Sequence, residues 1–468
     1  MCKRFAVIVL SIVMILGMTA CGSNQETAPE KSQSSAQPQS SAEQTQDLST
    51  MEGWGAAVKA KSEGKEITVA MATHPSTEAF RKMADDFTKL TGIKVRWDVV
   101  EETNLKSKQL LDIQGAGSYD VLMVDAFWMS EYASKNVLEP IGKYAEDSGK
   151  TPKWFDYEDI MAAYRNGIAG AGGVNYGIPT AGETRFVAYR TDLFKKYNKQ
   201  PPKTMDEFLE LAQFFNQKED GLYGVAMRAQ RGIHFASGWM SLMYNFGGGF
   251  IDQSTIGSNK VVVTANSQKT VESLNFYVNL LKCAPPDVGT YTHEEALGAF
   301  MSGKCAMWLD ATALANQITN PESSKVADKV GFVPTPTGPD GDGAALAGWN
   351  LGISQKSQNK DEAWDFIAFM AGKPRSVDYV KAGGIATRQS VFENQELAAL
   401  NPSFGAQKEA LIAANGLVEK GLSWIPQHDQ INQILEIAGA YGSAALAGDI
   451  SVQQACDKSQ KDIQDLIG

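Results

Sequence analysis

From Glu66 onward the apolar positions switch repeatedly between two spacings. Residues 66–72 (EITVAMA), 93–100 (IKVRWDVV) and 119–125 (YDVLMVD) are short β-favouring runs, whereas 75–92 (PSTEAFRKMADDFTKLTG) and 102–117 (ETNLKSKQLLDIQGAG) repeat at helical spacing. Pro75 stands in the first turn of its helix and Gly92 at its exit, the usual asymmetry of helix start and stop. Strand and helix alternate, which predicts an α/β lobe built on a parallel sheet. The third run is apolar almost throughout, as a strand covered on both faces requires, yet it ends in Asp125 followed by Ala126, Phe127 and Trp128. Ligands collect outside the carboxyl ends of such strands, which makes Asp125 and Trp128 candidates for a site. The competing reading is that Asp125 caps a helix starting near Phe127 and that Trp128 fills the core.

The middle of the chain changes character. Residues 176–194 are strand-like with a polar interruption at Glu183-Thr184-Arg185, 201–218 form an amphipathic helix, and 223–229 form another strand. Helical periodicity dominates 237–248, 267–282 and 292–304, before 305–314 returns to a short strand ending in Asp310. This stretch reads as a second lobe inserted into the first. A loop rich in proline and glycine (329–343) leads into 346–354 and a helix at 359–372, and the remainder is mostly helical and expected to pack largely on the second lobe. A chain of 468 residues exceeds one hydrophobic core, so two or three domains are expected.

Ahead of this pattern, Met1 to Ala20 combine a basic start, Lys3 and Arg4, with an apolar run too short for a bilayer span of about 20 residues. They read as a signal peptide. The sequence MTACGSNQ resembles the bacterial lipoprotein processing box, with Met18 where leucine is usual, and that resemblance makes Cys21 the lipidated first residue of the mature chain. Residues 22–50 are Ser, Gln, Glu and Pro with almost nothing to bury; the segment 21–64 is therefore expected to be the lipidated cysteine and a disordered tether. Loss of Lys3 and Arg4 takes the 43 basic residues to 41 against 54 acidic ones, a charge of −13, which excludes nucleic acid as a partner. Of the remaining cysteines, Cys283, Cys305 and Cys456 have no metal-ligand spacing, and both one disulfide with a free thiol and three reduced thiols stay open. FGGGFID (246–252) lacks the lysine and hydroxyl residue of a phosphate loop and reads as turn chemistry.

The order of YDVLMVDAFWMSEYASKNVLEP, YGIPTAGETRFVAYRTDLF, PPKTMDEFLELAQ, FGGGFID, EALGAFMSGKCAMWLDA, GWNLGISQKSQNKDEAWDFIAFM and ALAGDISVQQACDKSQKDIQDLI resembles the family-one extracellular solute-binding proteins of bacterial ABC importers, the branch that includes maltose-binding protein. The resemblance covers nearly all of 65–468. It implies a type II periplasmic-binding-protein-like fold: two α/β lobes, 65–177 with 311–372 and 178–310 with 373–468, joined by a multi-segment hinge with the ligand cleft between them. The crossings are expected near 178–189, near 305–311 and near Lys373. It further implies a monomeric, non-enzymatic lipoprotein on the outer face of the membrane that hands a carbohydrate to a permease, with no cofactor and no metal.

A sugar presents hydroxyls at its rim and C–H groups on its face, so its site needs charged or amide groups together with aromatic planes. The polar interruptions at strand and crossing ends supply His74, Asp125, Glu183, Arg185, Asp310, Asn350 and Arg388, with Trp128, Trp239 and Trp349 as platforms. The alternatives are an ion pair for Glu183 and Arg185, core packing for Trp239 and a structural role for His74. Trp424 is assigned to packing but lies in a segment that can reach the cleft. Two rival functions remain: a secreted glycoside hydrolase or lyase using two of Asp125, Glu183 and Asp310, and a carbohydrate sensor that serves no transporter.

Overall fold

The computed structural model describes residues 48–147 and 149–468. The signal peptide, Cys21 and the tether up to residue 47 lie outside them. Helix α1 (Met51–Ser62) corrects the expected extent of the tether. Thr50 caps it, and its sparse apolar face places Trp54 edge-on to Trp154 at 5.3 Å and stacked on Phe369 at 6.5 Å. Ser62 Oγ donates to Glu362 at 2.6 Å, fastening the far end. The folded body thus begins before the first strand.

β1 (Glu66–Ala72), α2 (Pro75–Thr91), β2 (Lys94–Val100), α3 (Glu102–Gln114) and β3 (Val121–Asp125) follow the expected alternation, with Gly92 at φ +72° ending α2. The three strands are parallel. The sheet is nevertheless mixed, because β4 (Gly177–Glu183) joins it through a late strand, Ala347–Ile353, that runs antiparallel to both β3 and β4. β5 (Arg185–Arg190) and β6 (Tyr223–Ala226) begin a second sheet, followed by helices α4 (Ile233–Met243), α5 (Gln268–Leu281) and α6 (His293–Met301), then β7 (Cys305–Ala311) and β8 (Val330–Pro334). After β9 (Ala347–Ile353) and α7 (Lys360–Ala371) the chain ends in α8 (Phe404–Glu419), α9 (Ile431–Ala447) and α10 (Val452–Ile467). The first sheet runs β2-β1-β3-β9-β4 and the second β8-β5-β7-β6.

These pairings move the expected lobe boundaries. The first crossing falls at Thr184, between β4 in one sheet and β5 in the other, so residues 178–183 belong with the first lobe. The segment carrying β8 belongs with the second lobe, because β8 pairs with β5, and the return to the first sheet comes after Pro334 rather than within 305–311. Residues 373–388 stay on the first lobe instead of crossing at Lys373: Tyr379 stacks on Phe80 of α2 at 4.8 Å and Arg375 bonds Asp86 at 2.9 Å. The crossing at Thr184 is tied to two other segments, at Thr312 and at Ala345. Its N–H donates to Thr312 Oγ1, its hydroxyl donates to the Ala345 carbonyl at 2.6 Å, and its own carbonyl accepts from Thr312 N at 3.0 Å.

Strand β4 carries one extra residue opposite β9: Trp349 faces Ala181 and Asn350 faces Pro179, leaving Thr180 as a bulge. The hydroxyl of Tyr379 donates to the Thr180 carbonyl at 2.7 Å. Gly348 permits the opposing bend, since it adopts φ +146° and a Cβ there would lie 2.0 Å from the Ala181 carbonyl oxygen.

The cysteine alternatives resolve structurally. Cys283, Cys305 and Cys456 are free and buried. Cys283 accepts backbone bonds from Gly224 and Val225 on one edge of β6 while Cys305 pairs with Tyr223 on the other, so roughly two strand spacings of about 4.8 Å separate them, beyond disulfide reach.

Two stability outcomes follow from this packing. Trp54→Ala should lower unfolding stability by about 3–5 kcal/mol, as for other buried tryptophans, read by urea titration; an unchanged midpoint would detach α1 from the core. Asp365 on α7 has its carboxyl pushed up to about 7, first by burial and then by Glu362 and Asp361. The native state therefore holds a proton that the unfolded chain has lost, and stability falls as pH rises from about 4 to about 7. Asp365→Asn should remove that slope, leaving the variant more stable than the parent at pH 8 by on the order of 1–2 kcal/mol and equal to it near pH 4.

Candidate functional site

Four strand ends of the first sheet deliver polar or aromatic side chains to one edge. β1 exits into His74, β3 ends at Asp125, β4 ends at Glu183, and antiparallel β9 brings Trp349 into register opposite Asp125. Facing them across Thr184, the second sheet ends in Arg185 at the start of β5, Asp310 near the end of β7, and Arg228 just beyond β6. Both sheets thus meet at the ends where α/β folds collect ligands.

His74 caps α2: its Nδ1 accepts from Ser76 N at 3.2 Å, which assigns the ring proton to Nε2, 3.6 Å from Glu183 Oε1. The imidazole also packs on Trp349 at 5.5 Å, and Trp349 meets Trp128 edge-to-face at 5.4 Å. The side chains of His74 and Glu183 keep 9% and 16% exposure, enough to meet a solute. Trp349 and Trp128 are buried, with 4% and 9% exposure left. Asp125 Oδ1 accepts from Phe127 N at 2.8 Å and so caps the short turn Ala126–Trp128 while standing at the strand end.

On the opposite wall Asp310 is clamped by two guanidiniums. Arg228 binds it through Nε at 2.8 and 3.0 Å and through Nη2 at 2.7 Å, and Arg185 Nη1 pairs with the same carboxylate. Arg185 also donates to Ser237 Oγ at 3.0 Å and lies 5.7 Å over the Trp424 ring. Asp310 is wholly buried by this clamp, so it orients the arginines and has no surface to offer a ligand.

The electrostatics reach across the gap. Burial pushes the Glu183 carboxyl up, but His74 and the charges of Arg185 and Arg228 outweigh it and hold Glu183 below the usual range. Asp125 is driven well above its ordinary value by burial and by Glu102. Glu102, at the first turn of α3, has its carboxyl raised, first by desolvation and then by Glu183. On the second lobe His234 and His293 are pushed down to about 4 by burial and by Arg228, so both rings are neutral at physiological pH. The His234 Nδ1 atom is buried without a partner.

Three expected residues fall elsewhere. Trp239 belongs to the core of the second lobe, its Nε1 donating to Ser273 Oγ at 2.8 Å and its ring edge-on to Phe250 at 5.0 Å. Arg388 is a buried staple: its guanidinium donates to the carbonyls of Phe155, Asp156 and Ala371 and packs over Phe155. Asn350 follows Trp349 but is fully buried, donating to the Ile168 carbonyl at 2.9 Å. Sequence reasoning missed Glu102, Arg228, His234 and His293. Arg228 carried the same signal as Asp125, a charge at the end of an apolar strand run; Glu102 was disguised as an ordinary first-turn acid. Among the described residues no group of three His, Cys, Asp or Glu side chains is arranged to hold a metal.

The chain matches the family of bacterial extracellular solute-binding proteins over residues 72–374. It is 29% identical over 352 residues to the erythritol/L-threitol-binding protein of Mycolicibacterium smegmatis, covering 71% of this chain and 72% of that one. It is 27% identical over 394 residues to the mannitol-binding protein of Pseudomonas aeruginosa, covering 79% and 85%. Among solved structures, an ABC transporter solute-binding protein from Agrobacterium vitis S4 with bound D-mannitol superposes with a TM-score of 0.73 at 28% identity, covering 86% of this chain and 98% of that one. One from Agrobacterium radiobacter K84 in complex with ribitol gives a TM-score of 0.76 at 24% identity, covering 86% and 99%. The fold is the type II periplasmic-binding-protein fold, and the chain belongs to the bacterial extracellular solute-binding proteins.

Proposed function

We propose that this protein captures a small neutral polyol or sugar in the gap between its lobes and delivers it to the permease of an ABC importer, held at the outer membrane face by a lipid on Cys21. The observation that carries the reading is the charge balance of the facing edges. Arg185 and Arg228 are matched by Asp310 and Glu183, while Asp125 and Glu102 are driven toward their neutral forms. An anion set there meets the ionised Glu183, and a cation meets two guanidiniums. A neutral chain of hydroxyls finds acceptors on Glu183, donors on His74 and Arg228, and an aromatic edge on Trp128, each a bond that an uncharged solute makes without burying new charge. The ligands of the relatives described above, erythritol, L-threitol, mannitol and ribitol, are solutes of this kind.

The hydrolase alternative needs two carboxyls free to act on one bond. Asp310 is committed to both arginines, and Glu183 is held ionised against His74. The family itself consists of binding proteins.

The reading is tested by thermal shift against erythritol, ribitol, D-mannitol and maltose, with gluconate and mannitol 1-phosphate as charged comparators. A neutral solute present at 100 times its Kd should raise apparent stability by about 2.7 kcal/mol, and the charged comparators should not; a response confined to the charged pair would overturn it. Glu183→Gln should weaken binding of the responding solute by about 1–3 kcal/mol in calorimetry, with the unliganded melting temperature little changed. Cys21→Ser should leave solute binding intact and shift the protein from the membrane fraction to the medium, because a cleaved signal without lipid leaves no anchor; a protein that stays with membranes argues for another attachment.

A further inference from the structure

The turn after β3 takes part in two sets of contacts. Asp125 and Trp128 face the site, whereas Phe127 between them points to the other lobe: its ring lies edge-on to Trp424 at 5.6 Å and its carbonyl accepts from Asn432 Nδ2 at 3.3 Å. Three residues on, Ser130 Oγ donates to Gln427 Oε1 at 3.0 Å. The segment 424–432 is anchored to the second lobe, for Trp424 Nε1 donates to the Met240 carbonyl of α4 at 3.0 Å and α9 packs along the same helix. Trp424 is also the ring under the Arg185 guanidinium, one step from the Asp310 clamp.

Granting the solute-binding reading above, we infer that Phe127, Gln427 and Asn432 form an interlobe clasp that sets the residence time of the solute without touching it. Asp125 caps the turn through Phe127 N, so the group that meets the ligand also fixes the backbone from which Phe127 reaches across. A solute that settles Asp125 and Trp128 in this geometry favours the clasped arrangement. Conversely, the clasp favours the arrangement in which first-lobe and second-lobe groups face one solute, and apparent affinity scales with the population of that state. The clasp is made of neutral hydrogen bonds and one aromatic edge contact. It is therefore expected to be insensitive to salt, unlike a contact made by charges.

The test uses the mature protein and D-mannitol, followed by intrinsic tryptophan fluorescence in a stopped-flow instrument. The double variant Gln427→Ala/Asn432→Ala should release D-mannitol about tenfold faster, with association within about twofold of the parent and an unliganded melting temperature within about 2 °C. Release within twofold of the parent overturns the clasp. A marked fall in the unliganded melting temperature also overturns it, because the two side chains then serve folding rather than closure. If the parent itself does not bind D-mannitol, that outcome counts against the polyol reading, and the clasp is judged on unliganded protein by small-angle X-ray scattering. A larger radius of gyration in the double variant supports it, and equal radii overturn it.

Discussion

Two guanidiniums buried on one carboxylate, placed next to the point where the chain leaves its first sheet, organise the site. A lone buried Asp310 at the end of β7 is untenable, and so is a lone buried Arg185 at the start of β5. Adjacent antiparallel strands bring them together, and Arg228 completes the fork from the end of β6. Because one carboxylate serves two cations, the remaining positive field falls on Glu183 across Thr184 and keeps it ionised despite its burial. The charge state of Glu183 in one lobe is thus set by an ion cluster in the other, and the residue at the crossing between them is tied by its own hydrogen bonds to Thr312 and Ala345.

The parts legible in the sequence were those governed by local spacing. The strand and helix alternation of 66–125 stood out because each element buries one face or two, and polar residues at strand ends were visible because nothing in a strand interior tolerates them unpaired. His74, Asp125, Glu183, Trp128 and Trp349 come together on that logic. Strand direction was not legible, since β9 and β4 have the same local pattern whether they run with the sheet or against it. Helix α1 escaped notice because only Trp54, Ala57 and Val58 give it an apolar face. The roles of Trp239 and Arg388 depend on partners outside their own elements. Arg388 is satisfied in part by carbonyls more than 200 residues upstream, a fact no window of sequence contains.

The bulge at Thr180 sets which residues of β4 share a face. Side chains along a strand alternate between faces with a period of two, so one unpaired residue reverses the count beyond it. Ile178 stands opposite Leu351 and Glu183 opposite Ala347, two positions of β9 that share a face, although Ile178 and Glu183 lie an odd number of positions apart. Trp349 and Glu183 lie on the same side of the bulge in unbroken register. The Tyr379 hydroxyl gives the carbonyl of the unpaired Thr180 a partner outside the ladder. The surplus residue is absorbed there, and the same face of β4 supplies both the core beneath the sheet edge and the acid at its rim.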